Sequence, residues 1–258
     1  MGSDIFRFKQ FSVAHGKSSM KVGVDAVLLG AWAYDKKASE RCDDRELKIL
    51  DVGCGCGVIS LILAQRFPGA GIIGIEIDEP SVEEARNNFS AFPGKKKPEV
   101  ISGSFPEVLK PLSLKFDLIV SNPPFFRSGI SHPSTSRERA RHQGLLSPFT
   151  LLADSSAFLK PDGILAMIFP SEFCEEVISA AATHGFTVSK LCLVRNNPNR
   201  PEKRVLIEFR KDKEHPDNEN YKEWKPGELA VKLHLTLFED GEPTEAYRKL
   251  CQPFYLYF

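Results

Sequence analysis

The sequence predicts an α/β fold in which a mostly parallel β-sheet carries helices on both faces. Three observations predict it. Short apolar runs alternate with helical patterns through the middle of the chain, which is typical of parallel sheets. Glycine and proline residues interrupt these patterns where strands and helices have to end. The chain has 258 residues, 42% of them hydrophobic and 26% charged, which suits one large domain with an ample core.

The strands are predicted from apolar runs bounded by turn residues. Strands of a parallel sheet are buried on both faces, so these runs are nearly continuous rather than alternating. In chain order, the predicted strands are residues 47–52, 72–77, 100–101, 116–121, 164–169, 188–194 and 204–209. No helical pattern separates the last two, which predicts a hairpin and therefore an antiparallel last strand.

The helices are predicted from apolar residues at helical spacing and from residues that begin or end helices. One stops at Pro68-Gly69, and the next has Pro80 in its first turn, where a missing N–H group costs little. In chain order, the predicted helices are residues 58–67, 79–92, 147–159 and 172–183. The tail that begins at residue 211 contains a candidate strand at 229–238 and a candidate helix at 243–250.

Composition and charge argue against several classes of protein. The 34 basic and 34 acidic residues balance, which is unlike a broadly DNA-coating protein. There is no apolar stretch of membrane-spanning length and no apolar signal core at the N-terminus, so we expect a cytoplasmic protein without membrane contact. The six cysteines lack C-x-x-C spacing, so we expect reduced thiols and no metal. Basic residues are concentrated in segments 1–21, 127–142 and 190–204, which either converge on one face or are ordinary solvated loops.

A glycine-rich turn, Asp51-Val52-Gly53-Cys54-Gly55-Cys56-Gly57, follows the first strand and opens the first predicted helix. Ligands of open α/β sheets bind outside the carboxyl ends of the strands, so this turn is the expected cofactor site. Its glycine spacing differs from the dinucleotide fingerprint, and no Lys-Ser or Lys-Thr pair follows as in phosphate-binding loops. Glu76 ends the second strand, placed to accept hydrogen bonds from both hydroxyls of a ribose. A nucleoside cofactor such as S-adenosylmethionine is predicted, bound by Asp51, Gly53, Gly55, Gly57 and Glu76.

The segment Asn122-Pro123-Pro124-Phe125 follows the fourth predicted strand. Consecutive prolines fix the backbone, so the amide oxygen of Asn122 and the carbonyl of Pro123 are aimed rigidly into the same cleft. Two fixed acceptors polarise an amine whose lone pair is delocalised into a ring and turn that lone pair toward an electrophilic methyl group. Phe125 is placed to stack on a planar substrate. We therefore predict that Asn122, Pro123 and Phe125 act on the substrate, and that Asn122 also lines the cofactor pocket.

At these residues the chain resembles Rossmann-like methyltransferases that modify planar amino groups and carry Asn-Pro-Pro followed by an aromatic residue. Enzymes acting on adenine N6, on guanine N2 of ribosomal RNA and on glutamine N5 of release factors share the motif, so the motif leaves all three open. The N-terminal run from Met20 to Trp32 and the aromatic C-terminus from Phe254 to Phe258 are similar to bacterial enzymes that methylate N6 of adenine 37 in valine tRNA. This resemblance spans nearly the whole chain and favours the first activity.

The resemblance implies a seven-stranded sheet whose last strand is antiparallel. It also implies an extension (residues 1–45) that covers the cofactor site, with Gly23 and Asp25 at the methionine end, and a methyltransferase domain at 46–258 that includes the tail. Ser104 stands where related enzymes place an acid at the cofactor adenine. Asp25 has a second interpretation, as the cap of the helix that runs to Trp32.

The remaining expectations concern RNA. The resemblance implies tRNA as the partner, S-adenosylhomocysteine as the second product, and a monomer without an obligate protein partner. The basic segment that follows the Asn-Pro-Pro-Phe strand is expected to close on RNA backbone, although a solvated helix start is the plain alternative. The expected RNA-binding residues are Arg137, Arg139, Arg141, His142, Arg200, Lys203 and Arg204. A degenerate fold that holds RNA without chemistry is the non-enzymatic alternative.

Overall fold

The computed structural model describes residues 4–18, 21–34, 46–124, 146–211 and 232–258. Its main feature is one eight-stranded sheet, covered on both faces. The strands of this sheet are β3 (Lys48–Val52), β4 (Gly71–Glu76), β5 (Glu99–Ser102), β6 (Phe116–Ser121), β7 (Leu159–Pro170), β8 (Phe186–Arg195), β9 (Arg204–Lys211) and β10 (Lys232–Thr236). Two short hairpins lie outside it, formed by β1 (Ile5–Arg7) with β2 (Ser12–Ala14) and by β11 (Phe238–Glu239) with β12 (Glu242–Pro243).

The spatial order of the sheet is β10-β8-β9-β7-β6-β3-β4-β5. Strand β9 is antiparallel to both of its neighbours, β7 and β8, so the predicted hairpin and antiparallel strand are confirmed. The predicted number of seven strands is too small, because β10 adds an eighth strand parallel to β8. Its backbone pairs with residues 191–195 of β8, which explains why the candidate strand in the tail forms.

The helices are α1 (Val24–Trp32), α2 (Val58–Arg66), α3 (Glu79–Ala91), α4 (Pro148–Ser155), α5 (Cys174–Thr183) and α6 (Glu245–Cys251). Successive side chains of a strand point to opposite faces, and each face of the sheet has its own core. In β3, Ile49 packs into the core that contains α1, α2 and α6, whereas Leu50 packs into the core that contains α4 and α5. The predicted α/β architecture with helices on both faces is confirmed. Among the helices that the structure describes, none combines the length and apolar character needed to cross a membrane.

One predicted boundary is wrong. The helix expected at 147–159 ends at Ser155, and Leu159 already belongs to β7. Phe116 of β6 pairs with Leu159, and the register then shifts so that Leu118 pairs with Ile164. The intervening Pro-Asp-Gly is therefore an irregularity within a longer strand rather than the turn before a short one, with Asp162 at φ 60°.

The two ends of the described chain pack together. The Lys9 N–H group donates to the Phe254 carbonyl (2.8 Å), and the rings of Phe8 and Tyr255 stack with centroids 6.1 Å apart. Both ends contribute side chains to the same core as α1 and α2.

Candidate active site

The candidate site lies at the carboxyl ends of four adjacent strands, β6, β3, β4 and β5. Hydrogen bonds join these ends to one another. The Ser121 hydroxyl at the end of β6 donates to the Val52 carbonyl of β3 (2.7 Å), and Gly53 N–H donates to the Ile75 carbonyl of β4 (2.9 Å). Gly103 N–H, just beyond β5, donates to the Glu76 carbonyl (2.8 Å). The residues predicted on these four strand ends are thus held at one edge of the sheet.

The three glycines of the turn after β3 all have positive φ, at 70°, 54° and 86° for Gly53, Gly55 and Gly57. Their surroundings differ. A Cβ at Gly57 would lie 2.3 Å from the ring of Phe89 in α3, and one at Gly53 would lie 2.8 Å from the end of the Leu146 side chain. A Cβ at Gly55 would meet nothing within 4 Å. Gly57 is therefore required by protein packing, whereas Gly55 borders open space.

The Glu76 carboxylate is held beside this turn by three backbone N–H groups. Gly55 donates to Oε2 (2.8 Å), while Ile77 and Asp78 both donate to Oε1 (2.9 Å each). Oε2 therefore keeps a lone pair for a further donor. Asp78 accepts from Ser81 N–H (3.1 Å) and caps α3.

The Asp51 side chain faces away from open space. It is fully buried, and its Oδ2 accepts from both the N–H (3.1 Å) and the hydroxyl (2.7 Å) of Ser60 in α2. Burial raises its pKa to about 7, against the lowering effect of the Ser60 hydrogen bonds. The carboxyl group therefore ties β3 to the first turn of α2 through Oδ2, while Oδ1 has no hydrogen-bond partner among the described residues, and the assignment of Asp51 to the cofactor stays a prediction.

Asn122 and Pro123 follow directly from β6. Asp51 pairs with Val120, so the next two residues of each strand bring Asn122 beside Gly53, the first glycine of the turn. Asn122 is half-buried and Pro123 is buried. The strand register thus brings the Asn122 backbone toward the glycine turn, and the role of its side chain stays a prediction. Phe125 lies outside the residues that the structure describes.

Asp25 and Arg204 were predicted to serve different ligands, but the structure brings them together as an ion pair. Gly23 precedes α1, and Asp25 lies in the first turn without capping it, so the alternative interpretation of Asp25 as the cap is wrong. Burial raises the pKa of Asp25, and Arg204 partly offsets this. An arginine engaged in this way has less capacity for a phosphate, so the structure favours Arg200 and Lys203 over Arg204 as RNA contacts.

Two of the other basic candidates are exposed. Arg200 and Lys203 lie on the loop between β8 and β9, at the same edge of the sheet as the glycine turn. The Lys203 backbone is fixed, since its N–H donates to the Val194 carbonyl (2.9 Å) and its carbonyl accepts from Ser171 N–H (3.1 Å). The positions of Arg137, Arg139, Arg141 and His142 lie outside the described residues.

Ser104 follows β5 and is half-buried. Its hydroxyl donates to the Phe105 carbonyl (3.3 Å), and the Phe105 ring packs against Phe158 with centroids 5.5 Å apart. Ser104 thus lies on the predicted strand end, next to Gly103 and Glu76. Within the described ranges, no group of three or more His, Cys, Asp or Glu side chains could hold a metal ion.

The sequence of this chain is similar to those of known methyltransferases. Residues 38–190 match the family model of the methyltransferase small domain. A tRNA1(Val) (adenine(37)-N6)-methyltransferase of Parabacteroides distasonis is 37% identical over 257 residues, which cover 99% of each chain. The protein of the same name from Vibrio vulnificus is 34% identical over 97% of this chain and 95% of its own.

The chain belongs to the tRNA1(Val) (adenine(37)-N6)-methyltransferase family. It is a methyltransferase, and its fold agrees with this membership. A predicted O-methyltransferase from Agrobacterium tumefaciens superposes with a TM-score of 0.60 at 20% identity, over 89% of this chain and 96% of the other. A putative class I S-adenosylmethionine-dependent methyltransferase from Listeria monocytogenes gives 0.51 at 14% identity, over 81% of this chain and 62% of the other. The Rossmann-like methyltransferase fold predicted from the sequence is confirmed.

Two polar residues near the site were missed by the sequence analysis. Glu84 and Asn88 lie on α3, each only 5% exposed, among the apolar residues Val82, Ala85 and Phe89. Polar residues in the apolar stripe of a helix are a signal that the sequence contained, because burying them requires hydrogen-bond partners.

Proposed function

We propose that this protein transfers the methyl group of S-adenosylmethionine to N6 of adenine 37 in the anticodon loop of valine tRNA. The observation that carries the proposed chemistry is the position of Asn122, at the end of β6 beside the glycine turn that follows β3. Support for the substrate comes from relatives with this name, which match nearly the full length of the chain.

The proposed cofactor pocket is formed by the glycine turn and Glu76. Open space at Gly55 leaves room for a ligand to lie against the backbone, and a Cβ there would intrude on it. The remaining lone pair of Glu76 Oε2 suits a ribose hydroxyl, while Gly23 and Ser104 are assigned to the two ends of the cofactor. When bound, S-adenosylmethionine supplies an electrophilic methyl group and leaves as S-adenosylhomocysteine; the proposal includes no metal.

Asn122 and Pro123 are proposed to hold the target amine. The amide oxygen of Asn122 and the carbonyl of Pro123 accept hydrogen bonds from its two N–H groups, which draws electron density toward nitrogen and orients the lone pair. The amine gains a methyl group and releases one proton to water, so no strong general base is required. Holding the reactants at a fixed distance and angle supplies most of the rate enhancement. Phe125 is proposed to stack on the adenine ring.

The basic residues around this edge are proposed to bind tRNA backbone. Arg200 and Lys203 carry exposed charges on the loop between β8 and β9, and the segment from Arg137 to His142 is proposed to add more. Adenine 37 lies in a loop, so turning it into the site costs less than extrusion from a duplex. The protein is proposed to act in the cytoplasm, as a monomer without an obligate protein partner.

Methylation of an unmodified valine tRNA transcript with labelled cofactor tests the proposal. Nuclease digestion should yield labelled N6-methyladenosine at position 37, and a transcript with guanosine at that position should take up no label. The Asn122→Ala variant, assayed in parallel at saturating cofactor, should remain folded and transfer no detectable methyl group.

Two results would overturn the assignment. Label in N2-methylguanosine of ribosomal RNA, or in a glutamine of a release factor, would identify one of the other enzymes that share the Asn-Pro-Pro motif. Absence of label in every substrate, together with absence of S-adenosylhomocysteine binding, would indicate a fold that has lost its chemistry.

A further inference from the structure

We propose that Glu84 and Asn88 of α3 form a clamp that positions the N-terminal segment 14–18 against the glycine turn and thereby shapes the cofactor pocket. The two residues are four apart, so both lie on the same face of α3, and both are buried. Neither is assigned to reacting atoms; both are positioning residues. The inference rests on the cofactor-binding part of the proposed function.

Asn88 joins two segments that are far apart in the chain. Its Oδ1 accepts from Ala14 N–H (2.9 Å), and its Nδ2 donates to the Ala14 carbonyl (2.9 Å). The same Nδ2 donates to the Cys56 carbonyl, inside the glycine turn (2.8 Å). The amide therefore pairs with Ala14 as a neighbouring strand would and fixes the distance from Ala14 to the turn.

Glu84 holds the next residues of the same segment. Its Oε1 accepts from Lys17 N–H (3.0 Å) and its Oε2 from Ser18 N–H (2.9 Å). Burial alone raises the pKa of Glu84, but these backbone donors outweigh it and lower the pKa below the usual value. The carboxylate is therefore ionised near neutral pH, and an anion surrounded by successive N–H groups is a strong local restraint.

The clamp is continuous with both sides of the proposed pocket. Phe89, next to Asn88, lies against Gly57, so the close approach of α3 that requires glycine at 57 also brings Asn88 to Cys56. On the other side, the His15 Nδ1 atom accepts from Val22 N–H (3.4 Å), which links the clamped segment to the residues immediately before Gly23. The clamp thus sets the position of the chain leading to Gly23 relative to the turn.

Two isosteric variants test the inference. Asn88→Asp removes the Nδ2 donor that bonds the Ala14 and Cys56 carbonyls, and Glu84→Gln removes the charge that holds the Lys17 and Ser18 N–H groups. The chain offers matched controls one residue away, Asn87→Asp and Glu83→Gln, because Asn87 is exposed and Glu83 only pairs with Lys17 at the surface (3.0 Å).

The primary measurement is S-adenosylhomocysteine binding by calorimetry, at a temperature where circular dichroism shows every variant to be folded. We expect each clamp variant to weaken binding at least tenfold, both controls to stay within twofold of the wild type, and tRNA affinity to stay within twofold in all four. Hydrogen exchange adds a direct readout: ligand binding should slow exchange of the segment 14–18 amides in the wild type and in both controls, and much less in the clamp variants.

Several results would overturn the inference. One such result is wild-type affinity for S-adenosylhomocysteine in both clamp variants. Another is a loss of ligand and tRNA affinity in proportion to the loss of stability. Either result would mean that Glu84 and Asn88 only stabilise the fold and do not shape the cofactor pocket. If a variant does not fold, the wild-type exchange measurement still decides, since the ligand must protect the segment 14–18. Failure of the wild type to bind S-adenosylhomocysteine would refute the cofactor assignment itself, whereas normal binding without methylation of tRNA would leave the clamp intact and refute only the proposed substrate.

Discussion

Alanine substitutions at Gly55 and Gly57, two positions of the same glycine turn, should have different effects: one on cofactor binding and the other on packing. Alanine at Gly57 would adopt φ 86° and place its Cβ 2.3 Å from the Phe89 ring, whereas alanine at Gly55 would adopt φ 54° with nothing within 4 Å of its Cβ. Gly57→Ala should therefore destabilise the fold, and Gly55→Ala should mainly weaken cofactor binding.

The magnitudes follow from these two environments. A non-glycine residue in the left-handed region costs about 1–2 kcal/mol, which applies to both variants. Overpacking against a buried ring adds about 1–3 kcal/mol at position 57 only. Since about 1 kcal/mol lowers the melting temperature of a chain of this size by roughly 2–4 °C, we expect a shift on the order of 10 °C for Gly57→Ala and a few degrees for Gly55→Ala.

Thermal unfolding and calorimetry with S-adenosylhomocysteine measure the two effects separately. Gly55→Ala should lose at least tenfold in ligand affinity while remaining folded. Gly69→Ala is the matched control, because Gly69 has ordinary φ and open space, and it should change neither quantity. In a double mutant, Phe89→Leu should remove part of the cost of Gly57→Ala, since the ring atoms that cause the clash are absent.

The packing effect and the ligand effect can each be contradicted separately. Equal destabilisation by Gly55→Ala and Gly57→Ala would mean that the contact with Phe89 does not constrain position 57. Unchanged ligand affinity in Gly55→Ala would mean that the cofactor does not lie against Gly55.

Three further predictions concern chemistry, RNA and pH. Asn122→Ala should lower the single-turnover rate at saturating cofactor at least a hundredfold, by analogy with loss of one fixed polar group in other active sites, and an unchanged rate would contradict the proposed role. Arg200→Ala and Lys203→Ala should each reduce the slope of log affinity for tRNA against log salt by about 0.7, because each removes one phosphate contact. Arg204→Met should leave the slope unchanged, because Arg204 is paired with Asp25. Equal slopes in all three variants would contradict this difference between exposed and ion-paired basic residues. Burial raises the pKa of Asp51 to about 7, so the contribution of this group to folding stability should be fully present below about pH 4 and should be lost as the pH rises to 7. In denaturant titrations, Asp51→Asn should remove this pH dependence of the free energy of unfolding, and an unaltered pH dependence would contradict the raised pKa.

Much of the fold could be predicted because its signals are local. Apolar runs, proline and glycine positions and the absence of a helix before β9 indicated the strands and the antiparallel pairing. The start of β7 was missed because Pro-Asp-Gly is a typical turn sequence, and only pairing with β6 keeps Leu159 in the sheet. Strand β10 was only a candidate, since its stability comes from pairing with β8 at the edge, which no local pattern reveals.

The candidate site was predictable where backbone position alone decides it. Glu76, Gly55 and Asn122 lie where strand ends place them. Asp51 and Arg204 were assigned differently, because the partner of a side chain depends on packing between distant segments: Asp51 faces Ser60, and Arg204 faces Asp25. The sequence did place charged residues at both positions, but charge alone does not distinguish a ligand contact from an internal pair.

The strand order explains why Asn122 is the natural meeting point of the two proposed substrates. The glycine turn, Glu76 and Ser104, which are assigned to the cofactor, follow β3, β4 and β5 on one side of β6, and Arg200 and Lys203 follow β8 on the other. At the usual spacing between neighbouring strands, Glu76 and Arg204 each lie two strands, or about 10 Å, from Asn122. A nucleotide held by phosphate contacts on the β8–β9 side can therefore present its base at β6, where the proposed methyl donor approaches from the opposite side. The ion pair between Asp25 and Arg204 links α1 to β9 at this edge, so its loss should loosen the packing between the two proposed halves of the site without removing a phosphate contact.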